Sequence, residues 1–417
     1  MEAGESRFEE AAGMKRVQFM LAFLVCLWAR CLAQDESTEV VPVGTLKLDA
    51  LYELSFTPDG ASLGVATYHG VVLYTVPNLE QTRSFPLPGI AYSLAFSPDG
   101  HYLAAGTCSA ACVWDFLTGE PVATCEGNFG NVYTLAFTPD SRHLLIGTGE
   151  GTLILWEVGA GEPLWTRKAH SGSIRGVAVS PDGTLCASGS MDQGILWNRS
   201  GEVLFTFPGK AWCTAFSPDA YFLAVGAGKV VKLWDTAVGL CYRSMWKHTG
   251  CVWWVEFSPN GRLLASASLD HTVRLWDPEE GECLAVLSAH EDSVECVRFS
   301  PDGRFLASGS GDGVVFLWDL SALLSGGTWP LNQAFPLERR RPHSHGRRAL
   351  ATGVFPATLA SRKAWTSRRG CGRTFPLSGR ARPSSATSAW SARLPSPCLG
   401  CTGPVIPPGR LTGWTNA

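Results

Sequence analysis

The chain has 417 residues, of which 45% are hydrophobic and 17% are charged, and its formal net charge is -3. This apolar content, without a glycine at every third position, excludes collagen-like and fully disordered proteins. The small net charge is the sum of two opposite segments. Residues 321–417 contain 13 Arg, one Lys and one Glu, a net charge of +13, which leaves -16 for residues 1–320.

The segment 1–33 is signal-like and predicts targeting. From Met14 to Ala33 it has a basic start, a mostly apolar run of about a dozen residues and a Cys-Leu-Ala cleavage motif. The acidic residues 1–13 do not fit a signal, and we hypothesise that translation starts at Met14. The alternative is an irregular apolar extension or an unprocessed anchor. The protein is secreted or periplasmic if Met14 to Ala33 is a signal peptide, and cytoplasmic otherwise.

After a linker at residues 34–40, the chain is organised by a repeat. An apolar stretch ending in Phe-Ser/Thr-Pro-Asp-Gly, or a close variant, recurs seven times, and an aromatic residue follows each proline by 16 or 17 residues. The prolines are Pro58, Pro98, Pro139, Pro181, Pro218, Pro259 and Pro301, and the aromatic residues are Tyr74, Trp114, Trp156, Trp197, Trp234, Trp276 and Trp318. The proline series and the aromatic series recur at matching intervals, which indicates a true structural repeat.

Each repeat predicts four short β-strands. In the sixth repeat, residues 251–259 end at a Pro-Asn-Gly turn, and three further segments follow at 262–268, 271–277 and 282–288. No segment has a sustained apolar period of 3.6 residues, so no helix is expected inside a repeat.

These repeats resemble the WD-repeat (WD40-type) β-propeller family. The resemblance is carried by Trp114-Asp115, Trp234-Asp235, Trp276-Asp277 and Trp318-Asp319, together with the Ser-Pro-Asp-Gly turns. It implies an all-β fold of four-stranded antiparallel blades. The last repeat lacks a fourth strand, whereas an unassigned strand, Val41–Leu48, precedes the first repeat. We therefore predict a seven-bladed propeller at residues 41–320, closed by this N-terminal strand.

The resemblance also implies a buried network of His, Ser or Thr, Asp and Trp inside a blade. Three repeats supply all four residue types. The sets are His170, Ser188 or Ser190, Asp192 and Trp197; His248, Ser266 or Ser268, Asp270 and Trp276; and His290, Ser308 or Ser310, Asp312 and Trp318. Because these histidines recur at blade spacing, we interpret them as structural rather than as general bases or metal ligands.

Side chains six residues before each proline predict a binding surface. They are Tyr52, Tyr92, Tyr133, Arg175, Trp212, Trp253 and Glu295. In the WD-repeat family this offset opens onto the top face beside the central channel, where partners commonly dock, and the residue before the network Asp, here Met191 or Leu269, faces there too. Tyr and Trp are favoured at binding hot spots. We hypothesise a top-face site in which Arg175 and Glu295 orient a polar or charged ligand group; alternatively, the rings only pack over the channel mouth.

Motifs for catalysis and cofactors are absent from the sequence, which has no phosphate-binding loop, no His-Glu-x-x-His and no nucleophile elbow. We assign no catalytic residue, no cofactor and no metal ligand. The nine cysteines of the repeats are odd in number and lack paired spacing, which indicates buried thiols rather than a disulfide framework.

Residues 321–417 are rich in Arg, Pro, Ser and Gly and predict a disordered basic tail. The tail either binds nucleic acid or another anionic surface, or is not selected protein sequence but read-through or a shifted frame.

The whole pattern favours a non-catalytic scaffold that binds a protein or peptide at the top face of the propeller. The alternative is an exported propeller with glycan-binding or enzymatic activity at the channel mouth, where only Arg175 and Glu295 are polar at the aromatic offset. The net charge of -16 argues against nucleic acid as the partner of the propeller. No apolar run reaches the ~20 residues of a transmembrane span.

Overall fold

The computed structural model describes residues 40–127 and 130–325. Strands in this part of the chain form seven four-stranded antiparallel sheets. The prediction of an all-β, seven-bladed propeller is therefore confirmed. The signal-like segment 1–33, the linker apart from Val40, and the tail beyond residue 325 lie outside the described residues, so the predictions about them stay predictions.

Six blades are consecutive antiparallel meanders. The first three contain β2–β5 (Glu53–Phe56, Ser62–Thr67, Gly70–Thr75, Gln81–Pro86), β6–β9 (Ser93–Phe96, Tyr102–Gly106, Ala110–Asp115, Pro121–Glu126) and β10–β13 (Val132–Phe137, His143–Thr148, Thr152–Glu157, Pro163–Lys168). The next three contain β14–β17 (Ile174–Val179, Leu185–Ser190, Gln193–Asn198, Val203–Pro208), β18–β21 (Thr214–Phe216, Phe222–Ala227, Val230–Asp235, Cys241–Met245) and β22–β25 (Val252–Phe257, Leu264–Ser268, Val273–Trp276, Cys283–Leu287).

The seventh blade combines the two ends of the propeller. The last repeat supplies β26 (Val294–Phe299), β27 (Phe305–Ser310) and β28 (Val314–Asp319), and the N-terminal side supplies β1 (Pro42–Lys47). β1 pairs antiparallel with β28 along its length. Closure by the N-terminal strand is thus confirmed, and β28 is not left as an unpaired edge.

The first strands of the blades surround a central channel. Each contacts the first strand of the next blade, and β26 contacts β2, so the ring is continuous. The hydrophobic core lies between neighbouring blades; Val71 and Phe85 of the first blade, for example, pack with Leu94 and Trp114 of the second. Full burial of such side chains stabilises the fold by roughly 1.5–3 kcal/mol each.

The Ser/Thr-Pro-Asp-Gly segments form the turns between the first and second strands. In the second blade, Ser97 Oγ donates to Asp99 Oδ1 (2.6 Å) and accepts from Tyr102 N (2.8 Å). The Asp residues therefore act as turn formers. In the third and fifth blades, Ser141 and Ala220 take the place of the glycine, with φ angles of 59° and 60°. This left-handed conformation is strained for residues that carry a Cβ atom.

The chain leaves the ring through a single helical turn, α1 (Ser321–Ser325). These five residues, the first of the predicted tail, are held at the ring because the Asp319 carboxylate accepts a hydrogen bond from Ser321 N (2.8 Å) and Leu323 packs on the core. Among the described residues, no helix has the length and apolar character needed to cross a membrane.

Candidate partner-binding site at the channel mouth

Buried polar networks hold the blades that frame the site. In the fourth blade, Trp197 Nε1 donates to Ser188 Oγ (3.0 Å), Ser188 Oγ lies 2.8 Å from His170 Nε2, and His170 Nδ1 lies 2.9 Å from Asp192 Oδ1. Because the indole only donates and the carboxylate only accepts, the neutral imidazole carries its proton on Nδ1 and donates it to Asp192.

The sixth blade has the same arrangement at closer range. His248 Nε2 lies 2.7 Å from Ser266 Oγ, His248 Nδ1 lies 2.8 Å from Asp270 Oδ2, and Trp276 Nε1 donates to Ser266 Oγ (2.7 Å). Burial lowers the pKa of His248 despite the hydrogen bond to Asp270. Burial alone would raise the pKa of Asp270, but hydrogen bonds from Thr272 and His248 hold it well below its usual range.

The seventh blade departs from the predicted network. His290 Nε2 lies 2.7 Å from Ser308 Oγ, and Trp318 Nε1 donates to Ser308 Oγ (2.9 Å). Asp312 does not complete this set, because its carboxylate accepts instead from the backbone N–H groups of Glu291 (3.3 Å) and Val314 (2.8 Å). His290 Nδ1 is buried without a hydrogen-bond partner in the described part of the chain, and burial lowers the pKa of His290 to about 4.

Seven of the nine predicted top-face residues line one cavity of about 380 Å³. They are Tyr52, Tyr92, Tyr133, Arg175, Trp212, Trp253 and Glu295. Each stands at or near the start of the innermost strand of its blade. Met191 and Leu269 are 55% and 38% exposed, and neither belongs to the lining of this cavity.

The aromatic rings of the cavity form two groups. Tyr52 and Tyr92 meet edge to face at 5.5 Å, and Tyr92 meets Tyr133 at 5.4 Å, so one tyrosine row crosses three blades. Trp212 and Trp253 have ring centres 4.6 Å apart. Such pairs add about 0.5–1.5 kcal/mol beyond the burial of their area.

Two opposite charges stand in different blades of the cavity. The Arg175 guanidinium of the fourth blade lies over the Tyr133 ring, 3.8 Å from its centre. Glu295 of the seventh blade accepts a hydrogen bond from Ser293 Oγ (3.0 Å). Burial and the charge of Asp292 raise the pKa of Glu295, and burial has the larger effect. The hydrogen bond from Ser293 and the charge of Arg175 lower it. Arg175 thus acts on Glu295 electrostatically, but the two side chains form no ion pair in the described structure.

Sequence reasoning missed three residues of the lining, namely Leu51, Trp254 and Gly311. Trp254 could have been noticed by comparing repeats. Five residues before the proline, five of the other six repeats have small or thiol side chains, whereas this repeat has Trp254 and the first has Glu53.

A partly buried charged group, which we call the channel cluster (Glu53, Glu256 and Arg298), was also missed. Arg298 forms ion pairs with Glu53 and, at 3.5 Å, with Glu256. Its Nε donates to Leu54 O (2.9 Å), and its guanidinium lies 4.3 Å from the centre of the Trp254 ring. The cluster therefore lies directly behind one wall of the cavity.

The channel cluster also joins neighbouring blades. Glu53 Oε2 accepts from Leu94 N of the second blade (3.1 Å), and Glu256 Oε2 accepts from Phe299 N of the seventh (2.7 Å). Burial raises the pKa of Glu53 and of Glu256 to about 7, against the attraction of Arg298. Each glutamate thus makes an inter-blade hydrogen bond at the cost of its own desolvation.

Cysteines and metal-ligand clusters offer no competing site in the described ranges. Eight of the nine cysteines in the repeats, all except Cys108, are free thiols. Within residues 40–127 and 130–325, no group of three or more His, Cys, Asp or Glu is arranged to hold a metal ion.

The closed ring, its turns and its His-Ser-Trp networks define a WD-repeat propeller. A family model described as "WD domain, G-beta repeat" matches the chain six times, at residues 80–115, 119–157, 161–197, 201–235, 239–277 and 281–319. These matches cover more than half of the chain, and the chain belongs to the WD40 family. The first three strands of the first blade precede the matches, where Tyr74 stands in the position of the repeat tryptophan.

Two curated proteins are similar to short parts of the chain. Small ribosomal subunit protein RACK1 of Caenorhabditis elegans is 44% identical over 57 residues, 13% of this chain and 18% of the relative. Periodic tryptophan protein 2 of Arabidopsis thaliana is 39% identical over 61 residues, 14% of this chain and 7% of the relative. The chain thus matches less than a fifth of the length of either relative.

Proposed function

We propose that this chain is a non-catalytic scaffold that binds a protein or peptide partner at the channel mouth. The observation that carries the proposal is the convergence of seven side chains from one repeat offset on a single cavity. Tyr and Trp offer large contact area at a low cost in conformational entropy, which suits them to recognition. WD40 propellers are typically protein-interaction scaffolds, in agreement with this use of the cavity.

The tryptophan pair brings two unsatisfied donors to the cavity. The Nε1 atoms of Trp212 and Trp253 are buried and have no hydrogen-bond partner in the described structure. An unsatisfied buried donor costs about 1–3 kcal/mol, and an acceptor group of a bound partner would offset that cost. Next to the tyrosine row, Tyr68 meets Tyr52 edge to face at 5.5 Å while it remains 48% exposed. These features support a surface kept for binding.

The polar content of the cavity favours binding over catalysis. Its charged lining residues are Arg175 and Glu295, whereas hydrolysis of a glycosidic bond usually needs two carboxyl groups that flank the bond. We therefore assign no catalytic role to Glu295. The net charge of -16 on residues 1–320 also favours a partner other than nucleic acid for the propeller.

The proposal is tested by affinity capture from the native host with the full-length protein as bait. The double variant Trp212→Ala, Trp253→Ala should lose the partners of the wild type, since it removes two adjacent walls of the cavity. Tyr242→Ala is the matched control, because Tyr242 is an exposed aromatic residue on the outermost strand β21. Retention of every wild-type partner by the double variant would refute the proposal.

A further inference from the structure

We propose that the cavity receives the cationic side chain of an Arg or Lys residue of the partner, between Trp253 and Glu295. This inference rests on the proposed function and adds the chemistry of the group that is recognised. The two residues occupy the same offset in neighbouring blades, on strands β22 and β26, which are in contact. A cation placed between them meets an aromatic ring on one side and a carboxylate on the other.

Glu295 is a carboxyl group without a direct ion-pair partner among the described residues, although the charge of Arg175 in the fourth blade acts on it electrostatically. It is largely buried, its hydrogen bond comes from the neutral Ser293 hydroxyl, and it takes part in no ion pair within the described residues. Transfer of a carboxylate out of water is costly unless an opposite charge accompanies it. A cationic side chain from a partner would supply that charge and would offset the desolvation of the Glu295 carboxylate.

The aromatic rings limit where the cation can lie. The Tyr133 ring already carries the guanidinium of Arg175, and the Trp254 ring already carries that of Arg298. The rings of Trp212 and Trp253 contact each other and have no cation of the protein over them among the described contacts. Cations bind most strongly over Trp faces, which directs an incoming cation to the tryptophan pair rather than to the tyrosine row.

The surrounding charge is complementary to a cation on this side of the cavity. Glu291 and Asp292 precede Ser293, Asp292 lies against Gly311 of the cavity wall, and Asp312 accepts from Glu291 N. The channel cluster behind Trp254 adds two carboxyl groups and one guanidinium. Arg175 stands apart in the fourth blade, where it is available to a carbonyl or carboxylate group of the same partner segment.

The size of the cavity suits one side chain and its flanking backbone. A volume of about 380 Å³ is near the lower end of the range for ligand pockets, about 300–1,000 Å³. The occupant is therefore a single inserted residue of a peptide or loop.

The test uses four blocked pentapeptides with a central Arg, Lys, citrulline or Glu between glycines, titrated against the full-length protein with ligand-observed NMR. Citrulline has nearly the shape of Arg without its charge. We expect the Arg and Lys peptides to bind about tenfold more tightly than the citrulline and Glu peptides, which corresponds to about 1.4 kcal/mol from a cation–π contact and a partly desolvated ion pair together. Equal affinity for the Arg and citrulline peptides, or no binding of either basic peptide up to about 10 mM, would overturn the inference.

A variant pair connects this selectivity to the carboxylate. Glu295→Gln keeps the side-chain shape and should lower the affinity for the basic peptides about tenfold, with a melting temperature no lower than that of wild type because the desolvated charge is removed. Glu162→Gln, an exposed acid in the turn between β12 and β13, should leave peptide affinity unchanged. If peptide affinity is the same in wild type and Glu295→Gln, the inference is wrong. The proposed function is tested separately, by whether the double variant Trp212→Ala, Trp253→Ala retains the captured partners, and it can hold even where the basic peptides do not bind.

Discussion

The difference between the sixth and seventh blades predicts unequal costs for removing two equivalent aspartates. Asp270 accepts from His248 Nδ1 (2.8 Å), Thr249 N (2.8 Å) and both N (3.2 Å) and Oγ1 (2.6 Å) of Thr272. Its side chain is 7% exposed, and that of His248 is fully buried. Asp270→Ala would therefore leave a buried imidazole N–H and backbone donors without acceptors.

The expected magnitudes follow from these contacts. A buried donor left without an acceptor costs about 1–3 kcal/mol, and since several donors lose Asp270 at once, we expect Asp270→Ala to cost about 3–5 kcal/mol. Among the described residues, Asp312 accepts from two backbone N–H groups, at 3.3 Å and 2.8 Å, and His290 Nδ1 has no partner there. Asp312→Ala should cost about 1 kcal/mol, the net value of an ordinary hydrogen bond.

Urea unfolding followed by tryptophan fluorescence measures the difference. With a denaturant dependence of about 3 kcal/mol per molar urea, Asp270→Ala should lower the midpoint by about 1–1.7 M, and Asp312→Ala by about 0.3 M. Asp192→Ala should fall between them, because the Asp192 side chain is 30% exposed. Equal midpoint shifts for Asp270→Ala and Asp312→Ala would refute the reasoning from these geometries.

Three further predictions concern the turns, the channel cluster and the closing strand. Ala220→Gly removes the strain of a φ of 60° and should raise the free energy of unfolding by up to about 1 kcal/mol. Gly100→Ala introduces a Cβ atom at a φ of 74° and should lower the free energy of unfolding. A lower melting temperature for Ala220→Gly than for Gly100→Ala would contradict this prediction. Burial raises the pKa of Glu256 from 4.5 to about 7, so its contribution to stability is present at low pH and is lost as the pH rises through 7. As the pH is lowered from 7 to 4.5, protonation of Glu256 stabilises the wild type, whereas Glu256→Gln cannot take up that proton. The unfolding free energy of Glu256→Gln should therefore fall more steeply than that of wild type over this pH range. Parallel pH profiles of the two proteins would exclude a stabilising effect of Glu256 protonation. Deletion of residues 1–48 removes β1 and should give aggregated protein in size-exclusion chromatography, because β28 becomes an exposed edge. Deletion of residues 1–39 keeps β1 and should give a monomer. Identical elution of the two truncated proteins would argue against closure by β1.

The ring and most of the cavity could be predicted because propeller geometry converts sequence offset into position. Residues at one offset occupy equivalent places in successive blades, so Tyr52 and Trp253 were predicted to share a face although about 200 residues separate them along the chain. The closing strand followed from counting, since the last repeat had three strands and one strand was left over.

Contacts between residues at different positions of the repeat could not be predicted by comparing equivalent positions. Arg298 pairs with Glu256 at its own offset but with Glu53 at another, and that pairing requires the closed ring and side chains of the right reach. A partial signal existed, because the equivalent position is Ser or Ala in the other five repeats. The separation of Asp312 from His290 left no signal, since the residue types match those of the sixth blade and only the side-chain position differs.

Photo-crosslinking from inside the cavity tests the central claim most directly. A photoreactive phenylalanine analogue at Tyr92 places the reactive group on the cavity wall, and the same analogue at Tyr242, on the outermost strand β21, is the matched control. We predict that the Tyr92 position forms crosslinks to a small set of host proteins and that these crosslinks disappear when Trp212 and Trp253 are replaced by Ala. Crosslinks of equal yield from Tyr242, or crosslinks from Tyr92 that persist in the double variant, would contradict the assignment of the channel mouth as the partner-binding site.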